Sequence, residues 1–220
     1  NIGPVIENLD IADEIIIVDS FSTDETTRIA TTYNNVTVVQ HPFENYATQR
    51  NYAISLAQNP WILFLDADER LTEELKKEIL KTIQLKDAFS AYYFYRTFMF
   101  KNTKLHFSGW QTDKIFRLYK KEKAQYPLQK IKKKKLVVNG TTGKLKNKLI
   151  HFSYKDYSSY KQKMVYYGKL KAIEEFNKGT KPSFFHFYIR PLYQFVYQYI
   201  IRLGIFDGKK GIIICFLNAY

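Results

Sequence analysis

The chain has 220 residues and a mass of 26.1 kDa, enough for one catalytic domain plus an appendage but short for two full domains. Its 45% hydrophobic and 25% charged residues exclude wholesale disorder, and its single cysteine, Cys215, excludes an internal disulfide or a cysteine-rich metal site and fits a reducing compartment. The formal charge of +13 invites a nucleic-acid or anionic-membrane reading, yet it is bipolar: residues 1–80 hold 14 acids and 5 bases, residues 81–220 hold 7 acids and 29 bases.

The chain opens at Asn1 with neither an initiator methionine nor a signal-peptide pattern, so a fragment is expected. Glu14 to Asp19 is a β-branched run ending in a carboxylate. Ser22-Thr23-Asp24 then supplies cap chemistry for a helix to about Tyr33. Val36 to Val39 reads as a second strand, Tyr46 to Ala57 as a second helix, and Trp61 to Leu65 as a third, buried strand followed by Asp66-Ala67-Asp68-Glu69. Thr72 caps a helix with Glu73 and Glu74 in its first turn and Lys76 and Lys77 behind them, the charge order a helix dipole favours. Strand alternating with helix implies a mostly parallel sheet with helices on its faces, and such a sheet holds its ligand at the carboxyl ends of its strands. Two of those ends carry acid, Asp19 and Asp66.

Beyond residue 90 the pattern is aromatic and basic. Ala91 to Phe100 and Asp113 to Tyr119 read as strands, Leu136 to Asn139 leads into a glycine turn, and Leu149 to Phe152 is one more strand. A helix follows from about Tyr157 to Asn177, then an apolar segment from Phe184 to Leu203 and an apolar tail from Gly211 to Tyr220. No run of 18 apolar residues appears, which argues against a standard membrane-spanning helix.

Asp66 and Asp68 are two apart, so on an extended backbone both carboxylates project to one side. Two carboxylates at the mouth of a parallel sheet suit a hard divalent cation that keeps most of its waters and is completed by phosphate oxygens. A bare D-x-D also occurs in helix-capping loops. A phosphotransferase of the haloacid-dehalogenase type places D-x-D after its first strand with Thr or Val two residues on; here the strand is the third and position 70 is Arg70.

Asp13 to Asp24, Gln49-Arg50-Asn51-Tyr52-Ala53 and Trp61 to Glu69 together resemble family 2 glycosyltransferases of the GT-A fold, in the branch of the lipopolysaccharide-core glucosyltransferases. Gly109-Trp110 with Asp113, Arg117-Leu118, Gly143-Lys144-Leu145, His151-Phe152, Leu203-Gly204 and Asp207-Gly208 extend the resemblance over nearly the whole chain. It implies an α/β fold with a Rossmann-like, mostly parallel sheet, helices on both faces and a C-terminal helical extension. The family's first strand would precede Asn1. The domains would be 1–155, the truncated GT-A domain, and 156–220, a helical, membrane-associating extension. By the same resemblance Asp19 contacts the base or ribose of a nucleotide sugar, most often UDP-linked, and Arg50 faces the nucleotide or its phosphates. Asp66 sits near ribose and metal, Asp68 is the principal ligand of Mg²⁺ or Mn²⁺, and Asp113 is the base for transfer with inversion. Trp110 and Arg117 are acceptor-side candidates. Phe21 stands where the family usually has glycine, and Lys132 to Lys135 stand where relatives carry Val-His-Glu.

Residues 117–148 contain twelve Lys or Arg against one acid, Glu122, a field that suits a solvated strand edge, an anionic lipid or a phosphorylated glycolipid acceptor. The aromatic segment Phe184 to Leu203, with only Arg190 and Arg202 as charges, suits either the bilayer interface or a buried helix pair. The rival reading is a basic, aromatic nucleic-acid-binding module without catalysis, against which stands the lack of any recognisable RNA- or DNA-binding motif. The expectation is therefore a metal-dependent inverting glycosyltransferase at the cytoplasmic face of the inner membrane. Its acceptor would be a glycolipid or oligosaccharide of the cell envelope, with no nucleic-acid partner.

Overall fold

A computed structural model describes residues 2–128, 136–154 and 156–219. The chain divides into two compact units, one of Asn1–Tyr95 with Lys114–Ile150, the other of Arg96–Asp113 with His151–Tyr220. Where the sequence suggests one boundary near residue 155, the units interleave.

The first unit opens with α1 (Ile2–Asn8), β1 (Ile15–Asp19), α2 (Thr26–Ala30), β2 (Val36–Gln40), α3 (Tyr46–Leu56), β3 (Trp61–Leu63), β4 (Glu69–Arg70) and α4 (Glu73–Ile83). The β-branched residues of β1 and β2 pair in parallel, from Ile15 opposite Val36 to Asp19 opposite Gln40. Capping decides where the helices begin. Asn45 Oδ1 accepts from the Ala47 and Thr48 N–H groups at 2.9 and 3.0 Å to start α3, and Thr72 Oγ1 accepts from Leu75 N–H to start α4. Helix α2 is shorter than its pattern suggests. Asp24 accepts from Thr26 N–H, outside the cap position, and the Thr31 and Thr32 hydroxyls turn back onto the carbonyls of Thr27, Arg28 and Ile29, offering the backbone an alternative to further turns.

Downstream come β5 (Ala91–Phe100), β6 (Thr103–Leu105), β7 (Lys114–Lys120), β8 (Ala124–Gln125), β9 (Val137–Val138), β10 (Thr142–Lys144) and β11 (Leu149–Tyr154). The larger sheet runs β3-β7-β5-β11-β4, with β10 and β6 also on β5. It is mixed: β10 joins β5 in parallel, whereas β7 is antiparallel to both β3 and β5. Leu71, Leu75, Ile79, Phe94, Leu118 and Leu149 form its main apolar core. The pair β1–β2 is a separate sheet, and a cavity of about 600 Å³ is lined by residues of β1 and of the Trp61–Leu65 run. The Lys132 to Lys135 run lies outside the described residues.

The second unit is helical: α5 (Tyr157–Asn177), α6 (Arg190–Val196) between π-helical turns Phe185–Ile189 and Tyr197–Ile201, and α7 (Gly208–Ala219). Asp156 caps α5 through Ser159 N–H at 2.8 Å. Phe98, Phe100, Leu105, Tyr160 and Ile214 make its core. The apolar segment from Phe184 onward is not a buried helix pair. Phe184, Phe187, Tyr188 and Tyr193 are each more than 60% exposed, because this stretch has apolar side chains on all faces and its own unit covers few of them. No helix among the described residues is long and apolar enough to cross a membrane.

Candidate active site

In the first unit the site is built on the end of β3. The ladder continues one residue past the strand, with Phe64 N–H donating to the Arg117 carbonyl at 2.7 Å. The chain then turns: Glu69 N–H donates to the Asp66 carbonyl at 2.9 Å, and Asp66 N–H donates to Glu69 Oε2 at 3.1 Å. Asp66 and Asp68 therefore lie on a tight turn, and the extended-strand argument for their common direction does not hold. The turn residues Ala67 and Asp68 break the alternation that a pleated strand would impose.

Arg117 holds this turn. It is fully buried on β7, and its Nη2 donates to Glu69 Oε1 at 2.7 Å and to Asp66 Oδ2. Burial alone would lower its pKa, but the charges of Glu69 and Asp66 outweigh burial and raise it. Its guanidinium lies 5.4 Å from the Phe64 ring centroid. The expectation of Arg117 as an acceptor-side residue is thus corrected: a wholly buried guanidinium committed to two carboxylates has no surface to offer a substrate. Glu69, also fully buried, is its partner. Sequence reading passed over Glu69 as a site residue, and only its place next to the D-x-D hinted at it.

Arg50, projecting from α3, approaches Asp66 Oδ1 at 3.7 Å and lies over the rings of Phe64 and Tyr126 at 5.1 Å each and Tyr46 at 5.8 Å. Burial pushes the Tyr126 phenol up, so it stays protonated across the neutral range. Arg50 and Asp66 also line the 600 Å³ cavity. Asp19 ends β1 buried, and its Oδ2 accepts from Ser22 N–H at 3.0 Å, which tightens the loop after the strand. Within that loop Phe21 has φ of 59° and is 56% exposed, a left-handed conformation that explains why glycine suits this position.

The acidic side chains at the turn offer carboxylate oxygens, the donor type a hard cation takes. Asp66 Oδ2 is committed to Arg117, Oδ1 lies 3.7 Å from Arg50 Nη2, and Asp68 is felt by Arg70. No group of three or more His, Cys, Asp or Glu among the described residues forms a protein cage. Two half-exposed carboxylates fit Mg²⁺ or Mn²⁺ completed by water and phosphate oxygens.

Asp113 and Trp110 belong to the second unit. Arg96 grips Asp113 Oδ2 through Nε at 2.7 Å and Nη2 at 2.6 Å, leaving Oδ1 outside the pair. Trp110 stacks on Phe98 with ring centroids 3.9 Å apart and planes 10° from parallel, so one of its faces is already covered. The loop that carries both is clamped from afar. Asp207 Oδ1 and Oδ2 accept from the His106 and Phe107 N–H groups at 2.9 and 3.0 Å, and Arg202 donates to Thr112 Oγ1. Gly204 permits the approach, since a Cβ there would meet Ser108 Oγ at 2.6 Å and Cys215 Sγ at 2.8 Å.

Known proteins resemble this chain along most of its length. Residues 5–137 match the family model described as Glycosyl transferase family 2. An uncharacterized glycosyltransferase of Rickettsia bellii is 30% identical over 96% of this chain and 74% of its own length. A lipopolysaccharide core biosynthesis glycosyltransferase, LpsC of Rhizobium meliloti, is 26% identical over 99% of this chain and 85% of its own. Among solved structures, S. aureus TarS superposes with a TM-score of 0.50 at 15% identity, covering 99% of this chain and 86% of that one, a likeness of fold that agrees with the α/β GT-A expectation.

Proposed function

From the premise that this chain belongs to glycosyl transferase family 2, we propose that it moves a sugar from a nucleotide-sugar donor, UDP-linked, to a cell-envelope glycan or glycolipid of the lipopolysaccharide-core type, with inversion. The observation that carries the donor side is the turn at the end of β3, where Asp66 is presented between a buried Arg117 and the half-buried Arg50. Asp19 and Arg50 hold the nucleotide, and Asp66 and Asp68 hold Mg²⁺ or Mn²⁺. When bound, that ion offsets the negative charge that builds on the departing diphosphate.

Inversion requires attack opposite the leaving group. The acceptor oxygen bonds to the anomeric carbon as the bond from that carbon to the phosphate oxygen breaks, the diphosphate leaves with the electron pair, and the hydroxyl proton passes to Asp113 Oδ1. Arg96 fixes Asp113 for this step by holding the other oxygen. LpsC, whose printed name places it in lipopolysaccharide core biosynthesis, supports the acceptor class. The exposed Phe184, Phe187, Tyr188 and Phe206, close in sequence to Lys181, Arg190, Lys209 and Lys210, support peripheral contact with the cytoplasmic face of an anionic membrane.

Nucleotide release from UDP-, GDP- and ADP-sugars, with and without Mn²⁺, tests the reading. Metal-dependent release from a UDP-sugar that disappears in Asp68→Ala is expected; release that persists in Asp68→Ala would overturn the metal assignment. Asp113→Asn is expected to keep donor binding and lose transfer, and retained transfer would mean another base.

A further inference from the structure

The second unit contains a cavity of about 490 Å³ lined by Trp110, Asp113, Ser108, Gln194, Gln198 and Asn218, a size ordinary for a small-ligand site of roughly 300–1,000 Å³. Three of these side chains come from the C-terminal helices, outside the stretch 5–137 that matches the family. The orientation of two of them, Asn218 and Gln198, is set from beneath. The buried Tyr160 hydroxyl donates to Asn218 Oδ1, and Asn218 Nδ2 donates to Gln198 Oε1 at 2.8 Å. Burial pushes the Tyr160 phenol up, so it remains a donor and the relay runs in one direction. With Oε1 occupied, Gln198 has its Nε2 hydrogens left to donate.

Two further groups in the same wall lack a full complement of bonds. Trp110 Nε1–H is buried without a hydrogen-bond partner among the described residues, an unfavourable state until an acceptor arrives. Asp113 offers Oδ1 as an acceptor, since both Arg96 bonds fall on Oδ2. Fixed donors beside a fixed acceptor suit a ligand whose groups both give and take hydrogen bonds, which a ring of hydroxyls does. An apolar ligand would leave the amides and indole unpaired, and a phosphate would meet the Asp113 carboxylate.

We infer that this cavity is a sugar-binding subsite for the acceptor and that Gln194, Gln198 and Asn218 select which hydroxyl pattern enters it. The inference rests on the transferase reading and adds to it the residues that determine acceptor specificity.

The probe is the Trp110 indole N–H resonance in the ¹⁵N-labelled full chain, identified by its loss in Trp110→Phe. Methyl α-D-glucopyranoside, methyl α-D-mannopyranoside and N-acetylglucosamine are added separately to millimolar concentration. At least one is expected to move the resonance saturably, and Gln198→Leu is expected to weaken that sugar about tenfold, the worth of one hydrogen bond. Should Gln198→Leu not fold, Gln194→Ala carries the same expectation. A resonance unmoved by all three sugars, or equal affinity in the folded variant, overturns the subsite. Nucleotide release from UDP-sugars measured on the same protein separates the two readings. Release with an unmoved resonance removes only the subsite, and a saturable shift without release removes only the transferase activity.

Discussion

The two units treat charge and apolar surface in opposite ways. Every buried charged residue among those described lies in the first unit: Asp19, Glu69, Lys76 and Arg117. Arg117 pairs with Glu69 and Asp66, and Lys76 pairs with Asp10 and Glu73 at 2.7 and 2.8 Å. The second unit buries no charged residue among those described and leaves exposed a run of aromatics from Phe184 to Phe206. Buried ion pairs cost desolvation and are kept where geometry matters, here under the turn that presents Asp66. Exposed aromatics are kept where a surface has a partner. The first unit is therefore organised inward, around a charged site, and the second outward, with glycine contacts holding its own helices together.

The largest effect that would break this contrast is expected at Arg117. Arg117→Met removes the cation bonded to the fully buried Glu69 carboxylate and should cost about 3–5 kcal/mol, read as a fall in the urea midpoint. Adding Glu69→Leu should recover much of that loss; a single variant as stable as the parent would show that the pair does not hold the turn. In the second unit the equivalent test is steric. A Cβ on Gly211 would sit 2.0 Å from the Gly204 carbonyl oxygen, so Gly211→Ala should cost about 1–3 kcal/mol by thermal unfolding. Gly168→Ala, in α5 with nothing within 4 Å, should instead stabilise by about 0.5–1 kcal/mol. Equal responses from the two glycines would remove the packing argument.

A smaller change is expected at the loop beside Asp19. Phe21→Gly relieves a positive φ worth about 1–2 kcal/mol and loses about half of that to unfolded-chain freedom, so the urea midpoint should hold or rise slightly. Phe21→Val, β-branched in the same conformation, should lower it.

The smallest effect is the pH response at the C-terminal end of α5. Hydrogen bonds from Lys178 and Lys171 hold Glu175 down to about 2, below its ordinary 4.5. A depressed carboxylate contributes stability that is present above 4.5 and lost as pH falls through about 2. Helicity followed by circular dichroism across that window should show a shallow loss, weaker still in high salt because these groups are exposed.

Much of the local architecture was legible. The bounds of α5 and β5 match their sequence patterns because a polar cap at Asp156 and a ten-residue aromatic run are local signals. Thr72 was legible as a turning point for the same reason, a side-chain oxygen three residues before the N–H it accepts from. Asp19 and Asp66 could be singled out as strand-end acids, and Asp68 as the second carboxylate of the D-x-D. What was not legible was the company they keep. Arg117 read as a substrate-side residue because nothing near it in sequence shows that it is buried beneath Asp66, 51 residues away. Asp207 could be quoted as part of a motif but not explained until its carboxylate was seen closing on the N–H groups of His106 and Phe107, 101 and 100 residues away.

The sequence by itself determined the longer strands and helices and their order, the family and the acidic strand ends, since propensity, capping and motif spacing act over a few residues. Only the tertiary structure decided that Arg117 and Glu69 support the Asp66 turn, that Arg96 holds Asp113, and that Gln198 and Asn218 share a cavity with Trp110. Ion pairs and hydrogen bonds depend on distance in space, and the backbone between these partners can bring them together in ways that no local pattern encodes.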